Sequence, residues 1–93
     1  PAPPRDDPPT ILVLGALRVE RQHEHVVDAF DRLVASGTEA RLVLAGHAGD
    51  NAENVKRRIA FASARGFIRW EPDPGEGQLA DLVARASLLV HLS

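Results

Sequence analysis

No cysteine occurs among the 93 residues, so no disulfide can brace a fold whose size already makes it marginal. A chain of this length forms one small domain and buries roughly 60 to 65% of its unfolded surface. A thiol-free chain is compatible with a reducing compartment, and this one is read as cytoplasmic. Methionine is also absent and the chain opens on Pro1, so the expectation is a segment of a longer protein. No apolar run approaches the ~20 residues of a membrane span, and the proline-rich start lacks a signal-peptide pattern. An excess of one charge is missing too: 11 basic and 13 acidic residues give a net −2. That balance argues against a nucleic acid or an anionic membrane surface as partner, because either needs a broad basic field. Any anion bound must be held locally.

What is present is an alternation. Pro1 to Pro9 holds five of the seven prolines with Arg5, Asp6 and Asp7, the composition of an extended, solvated linker, and residues 10–93 are read as one partial domain. Ile11, Leu12, Val13 and Leu14 form a continuous apolar run that stops at Gly15, the pattern of a strand covered on both faces. Val26, Val27, Phe30, Leu33 and Val34 then recur at helical spacing, and Gly37 offers a left-handed closure. Arg41 to Ala45 reads as a second buried strand ending in Gly46-His47-Ala48-Gly49. Asp50 with Glu53 has the spacing of a capping box for a helix carrying Val55, Ile59 and Ala62, which Gly66 should stop. Phe67 to Trp70 is a third short strand. A third helix with Leu79, Leu82, Val83 and Ala86 on one face leads to a fourth strand, Ser87 to Leu92. Right-handed crossovers and the strongly apolar first strand predict an α/β, Rossmann-like open parallel sheet of four strands in the order 3-2-1-4, with three helices. Ligands of such sheets sit at the strands' carboxyl ends, so Gly15 to Gln22 is the first candidate site.

Two nucleotide-binding signatures are missing from that loop. A P-loop needs a second glycine followed by Lys and Ser/Thr, and a dinucleotide fingerprint needs three glycines; Gly15-Ala16-Leu17-Arg18 supplies neither. His23 and His25 point about 200° apart on a helix and cannot share a metal on one face, and His47 and His91 are distant in sequence, so no metal site is expected. Lys56, Arg57 and Arg58 are consecutive, spread round their helix and read as a solvated face. Trp70 either packs in the core or stacks on a nucleobase, and strand-end aromatics more often pack. Arg18 and Arg21 are the informative pair. They lie between a strand's carboxyl end and a helix's amino end, where backbone N–H groups and the helix dipole already favour phosphate and a guanidinium adds bidentate charge.

With those residues in place, Ile11 to Ser93 resembles the first half of the C-terminal, nucleotide-sugar-binding domain of the family 4 (group 1) retaining glycosyltransferases, which have the GT-B fold. LGALRVERQHEHVVDAF is similar to the family's strand, G-R, short loop, K-N-H and L-L-x-A-F helix, without a gap. Arg21 falls where the family has its lysine, Gln22-His23 resembles its N-H, and Asp28-Ala29-Phe30 matches the helix ending. Arg41 to Gly46 resembles L-V-I-V-G, Ile68 to Leu79 resembles V-x-F-x-G-x-V-x-x-x-x-L, and Ala86 to Ser93 resembles A-D-x-x-V-x-P-S. The departures are Ala16 for the loop arginine, Arg21 for the lysine, Pro72 for the glycine after the third strand, and Leu92 for the proline before the terminal serine.

The resemblance implies a truncated GT-B C-terminal domain whose parent enzyme moves a sugar from a nucleoside diphosphate donor to an acceptor, with retention and without a further cofactor. It places the diphosphate near Gly15, Ala16, Arg18 and Arg21 and the nucleobase near Trp70, Glu71, Pro72 and Asp73. The family's E-G-F-G region and paired glutamates would follow Ser93, so no catalytic residue is assigned and the fragment alone is expected to be inactive. Its expected partners are the donor, the remainder of the parent enzyme, and a second copy through the exposed strand 87–92. Two alternatives stand beside this reading: a non-catalytic α/β interaction or regulatory module, and a GT-B-shaped enzyme using another donor, which Ala16 makes conceivable.

Overall fold

A computed structural model of the chain describes residues 9–17, 22–62 and 67–92. Arg18, Arg21, Gly66 and residues 1–8 of the expected linker lie outside the described residues. In chain order the elements are β1 (Thr10–Leu14), α1 (Gln22–Ala35), β2 (Arg41–Ala45), a 3-10 turn (Gly49–Asn51), α2 (Ala52–Ala62), β3 (Phe67–Glu71), α3 (Glu76–Arg85) and β4 (Leu88–His91).

The sheet runs β3-β2-β1-β4 and every neighbouring pair is parallel, as the crossover rule predicts. The two inner strands carry the densest aliphatic sequence, and they are the ones buried on both faces: Leu12, Val13, Leu42, Val43 and Leu44 all lose nearly all contact with solvent. Alternate side chains sort the two faces. Val13, Leu42, Leu44 and Ile68 join Val27, Phe30 and Val55 in the main core, so α1 and α2 cover one face. Leu12, Val43 and Ala45 form a smaller cluster under Leu82 of α3 and Ala86 just after it, on the other. This follows from the strand order. The chain steps outward in one direction from β1 to β3, keeping both right-handed crossovers on one face, and α3 returns it across the sheet on the opposite face.

α1 ends as its glycine predicts. Gly37 has φ 98, its N–H donates to Val34 O at 3.0 Å, and Thr38 N–H reaches back to Leu33 O at 3.3 Å, the paired bonds of a Schellman closure. The start of α2 differs from the expected capping box. Asp50 falls inside the 3-10 turn, which has no side-chain cap, and the Asn51 N–H bonds to Ala48 O at 3.0 Å; the turn satisfies with backbone what a capping box would satisfy with side chains. The basic triplet differs as well. Lys56 pairs with Glu53 on the same helix, but Arg58 donates to Asp28 at 2.6 Å and Asp31 at 3.1 Å on α1. Arg58 thus ties the two helices together, and its guanidinium holds the Asp28 carboxyl below the usual carboxylate range.

The α3 side is thin. Val83, expected on the packed face, is 41% exposed, because the second cluster is large enough only for Leu82 and Ala86. Leu33 of α1 is likewise at the edge of its face. Among the described residues β4 pairs with β1 alone and leaves Leu88 and Leu89 about half exposed, at 54% and 48%.

Candidate functional site

At their carboxyl ends the strands do not simply stop. Gly15 N–H donates to Ala45 O at 3.2 Å, Leu17 N–H to His47 O at 2.9 Å, Gly46 N–H to Glu71 O at 3.0 Å and Leu92 N–H to Leu14 O at 2.7 Å, which carries the parallel ladder past the last strand residues. Glycine is required where these extensions meet. A Cβ on Gly46 would stand 1.7 Å from the Gly15 carbonyl oxygen, and one on Gly15 would stand 2.8 Å from both the Cβ and the carbonyl oxygen of Leu92. The loops after β1 and β2 therefore lie backbone against backbone. The result is a floor of main chain, with Ala16 exposed beside it.

Beneath that floor is a buried polar cluster that the sequence did not reveal. Asn51 Nδ2 donates to Leu17 O at 2.9 Å and lies 3.3 Å from His23 Nδ1, while Asn54 Nδ2 donates to Asn51 Oδ1 at 2.9 Å. One amide nitrogen thus serves two acceptors, and His23 is assigned the tautomer with Nδ1 bare and the proton on Nε2. His23 is 1% exposed. Burial pushes its pKa below the ordinary 6.5, against the opposing effects of the Glu24 charge and the Asn54 backbone. His23 Nε2 and Gln22 Oε1 are buried without a hydrogen-bond partner. In the sequence His23 stands out as a possible metal ligand and, with Gln22, as a resemblance to the family's N-H, while Asn51 is hidden inside the expected cap. Among the described residues no three His, Cys, Asp or Glu side chains converge as a metal-binding group.

The other expected site residues stand at the end of β3. Trp70 is half-buried against the main core, and its indole N–H donates to Gly46 O at 2.9 Å. One edge of this ring thereby steadies the glycine turn of β2. Glu71 is engaged by Arg69 at 2.9 Å, and Pro72 and Asp73 are exposed. β2 separates β3 from β1, which puts the Gly15 end and the Trp70 end roughly 10 Å apart at the usual strand spacing. Gly15 and Ala16 thus share one edge of the sheet with Trp70, Glu71, Pro72 and Asp73, and Gln22 opens α1 above it.

A glycine floor beside a helix amino end, at the carboxyl ends of parallel strands, is where ligands of open α/β sheets bind. Comparison with known families gives a match to Glycosyl transferases group 1 over residues 2–93. The chain belongs to the group 1 glycosyl transferases. Neither the curated proteins nor the solved structures gave a match. Membership of the group 1 glycosyl transferases supports a function in glycosyl transfer and implies a nucleotide-sugar donor and an acceptor. The four-stranded sheet is consistent with a GT-B domain of that family. Among the described residues no helix is long and apolar enough to cross a membrane.

Proposed function

We propose that this chain is the first half of the C-terminal, donor-binding domain of a family 4 retaining glycosyltransferase. The donor diphosphate lies on the loop Gly15 to Gln22 and the nucleobase toward Trp70, Glu71, Pro72 and Asp73. The observation that carries the reading is the shared floor made by Gly15 and Gly46 at the amino end of α1, in a chain of this family. Main-chain N–H groups at a helix start favour phosphate, and Arg18 and Arg21 bring cationic charge to the same loop. The roughly 10 Å between the ends of β1 and β3 suits a nucleoside laid across β2.

In the reaction the bond from the anomeric carbon to the diphosphate oxygen breaks, and the acceptor hydroxyl oxygen, releasing its proton, forms its bond to that carbon with retained configuration. The diphosphate leaves with the bonding electron pair, so charge grows on it in the transition state. Cations fixed beside it stabilise that charge more than they stabilise the bound donor. The resemblance assigns no catalytic group among the 93 residues, so the chain alone binds donor without transferring sugar. Ala16, standing where the family has an arginine, favours the second reading of a different donor, and a panel of ligands separates the two.

The test is calorimetric titration of uridine, guanosine and adenosine diphosphates against the parent chain and Arg21→Ala. The reading expects one diphosphate to bind and the variant to lose about tenfold or more in affinity. Equal affinity in variant and parent removes Arg21 from the site, and no binding by any diphosphate removes the donor assignment.

A further inference from the structure

The buried cluster under the loop does more than fill space. Leu17 is fixed at every group it has: its side chain is fully buried, its N–H is held by His47 O at 2.9 Å, and its C=O accepts from Asn51 Nδ2 at 2.9 Å. Asn51 sits in the 3-10 turn after β2, at the start of α2, and His23 in the first turn of α1. The contact with His23 runs 3.3 Å from the same Nδ2. Asn54 takes up the remaining acceptor of the Asn51 amide, so the amide cannot turn over without losing all of its bonds.

We propose that Asn51 and His23 are positioning residues that hold Leu17 beside the glycine floor at the carboxyl end of β1, and through it set the geometry at which an anion meets that floor. The proposal rests on the donor-site reading above. The chain of cause is short. Bare Nδ1 of His23 holds one proton of the Asn51 amide, which orients the other proton onto Leu17 O. That bond fixes the last described residue before Arg18 relative to the start of α1. An anion site made of main-chain N–H groups is effective only while those groups point to one place. Neither side chain needs to touch the ligand.

His23 offers a way to separate chemistry from volume. Asn at position 23 carries a side-chain oxygen as many bonds from Cα as Nδ1 is, and so keeps an acceptor for Asn51. Leu fills more of the cavity but has no acceptor. A purely space-filling role ranks His23→Leu above His23→Asn; positioning through the amide ranks them the other way.

The experiment uses the whole chain and two readouts. Amide hydrogen exchange at Leu17 reads the clamp itself, and calorimetric titration with inorganic pyrophosphate reads its consequence. Asn51→Ala and His23→Leu are expected to speed Leu17 exchange and weaken pyrophosphate binding, each by about tenfold, the worth of one lost hydrogen bond. His23→Asn is expected to stay within about threefold of the parent on both, since the acceptor is kept. Unchanged Leu17 exchange in Asn51→Ala, or His23→Leu matching the parent while His23→Asn does not, overturns the proposal. Altered exchange with unaltered pyrophosphate affinity overturns its ligand half. A parent chain that binds no pyrophosphate overturns the donor-site reading, and the exchange rates still decide whether the clamp holds Leu17.

Discussion

Gly46 and Gly15 meet backbone to backbone, so closely that a Cβ on Gly46 would stand 1.7 Å from the Gly15 carbonyl oxygen. The obstacle is main chain hydrogen-bonded on both sides of the contact, since Gly15 N–H is tied to Ala45 O and Gly46 N–H to Glu71 O. Nothing flexible is available to move. Gly37 provides the contrast, for it has φ 98 but nothing within 4 Å of its missing Cβ.

Gly46→Ala is therefore expected to cost about 3 kcal/mol or more, through backbone displacement at the site floor. Gly37→Ala should cost about 1 kcal/mol, the strain of a left-handed residue alone. Urea denaturation of both variants measures the difference. A Gly46→Ala chain as stable as Gly37→Ala would mean that the two loops are not pressed together.

The buried imidazole gives stability a pH dependence of known sign. Because burial holds folded His23 below 6.5, the unfolded chain takes up a proton from about that pH downward while the folded chain does not. The His23 contribution is whole above 6.5 and declines as pH falls toward the folded value. Denaturation midpoints between pH 7.5 and 5 should fall with acid in the parent and fall less in His23→Asn. Asp28, whose carboxyl is held down by Arg58, acts in a lower window, as pH drops below 3.8. Parallel pH profiles for parent and variant would show that His23 does not titrate in this way.

β4 presents a further consequence. Its outer edge has no strand partner among the described residues, Leu88 and Leu89 are about half exposed, and His91 is its one polar side chain. Unprotected apolar edges pair with other chains. The 93-residue chain is expected to self-associate, and Leu89→Lys to reduce it by placing a charge on the edge. Sedimentation velocity at ~100 μM, within the range where exposed strands associate, checks this; a parent chain that is monodisperse and monomeric there contradicts it.

The sheet was legible because its signals are strong and redundant. Ile11 to Leu14 and Leu42 to Ala45 are aliphatic without interruption, and handedness leaves few ways to arrange parallel strands joined by helices. Gly37 could be read as a helix end because left-handed closure needs its residue type. The site was legible only as a location. Asn51 falls between Asp50 and Glu53 of the expected capping box, and its partners Leu17 and His23 are 34 and 28 residues away in sequence, a distance at which no local pattern operates. Trp70 was weighed between packing and stacking, and the structure shows it packing on the core with its N–H on Gly46 O. Arg58 was misread for a related reason. Its charge looked solvated until the fold brought Asp28 and Asp31 of another helix within 2.6 and 3.1 Å.

The central claim is that a nucleoside diphosphate lies across the carboxyl ends of β1, β2 and β3. The most direct measurement follows backbone and indole N–H resonances of the isotopically labelled chain during titration with the nucleoside diphosphate that binds. Trp70 is the single tryptophan, so its indole signal is unambiguous and reports from the β3 end. The account predicts saturable shifts at Gly15, Ala16 and Leu17 together with the Trp70 indole, at one common dissociation constant. Shifts confined to another surface, such as the cleft between α3 and Arg41 and Arg69, with these four signals unmoved, would contradict it.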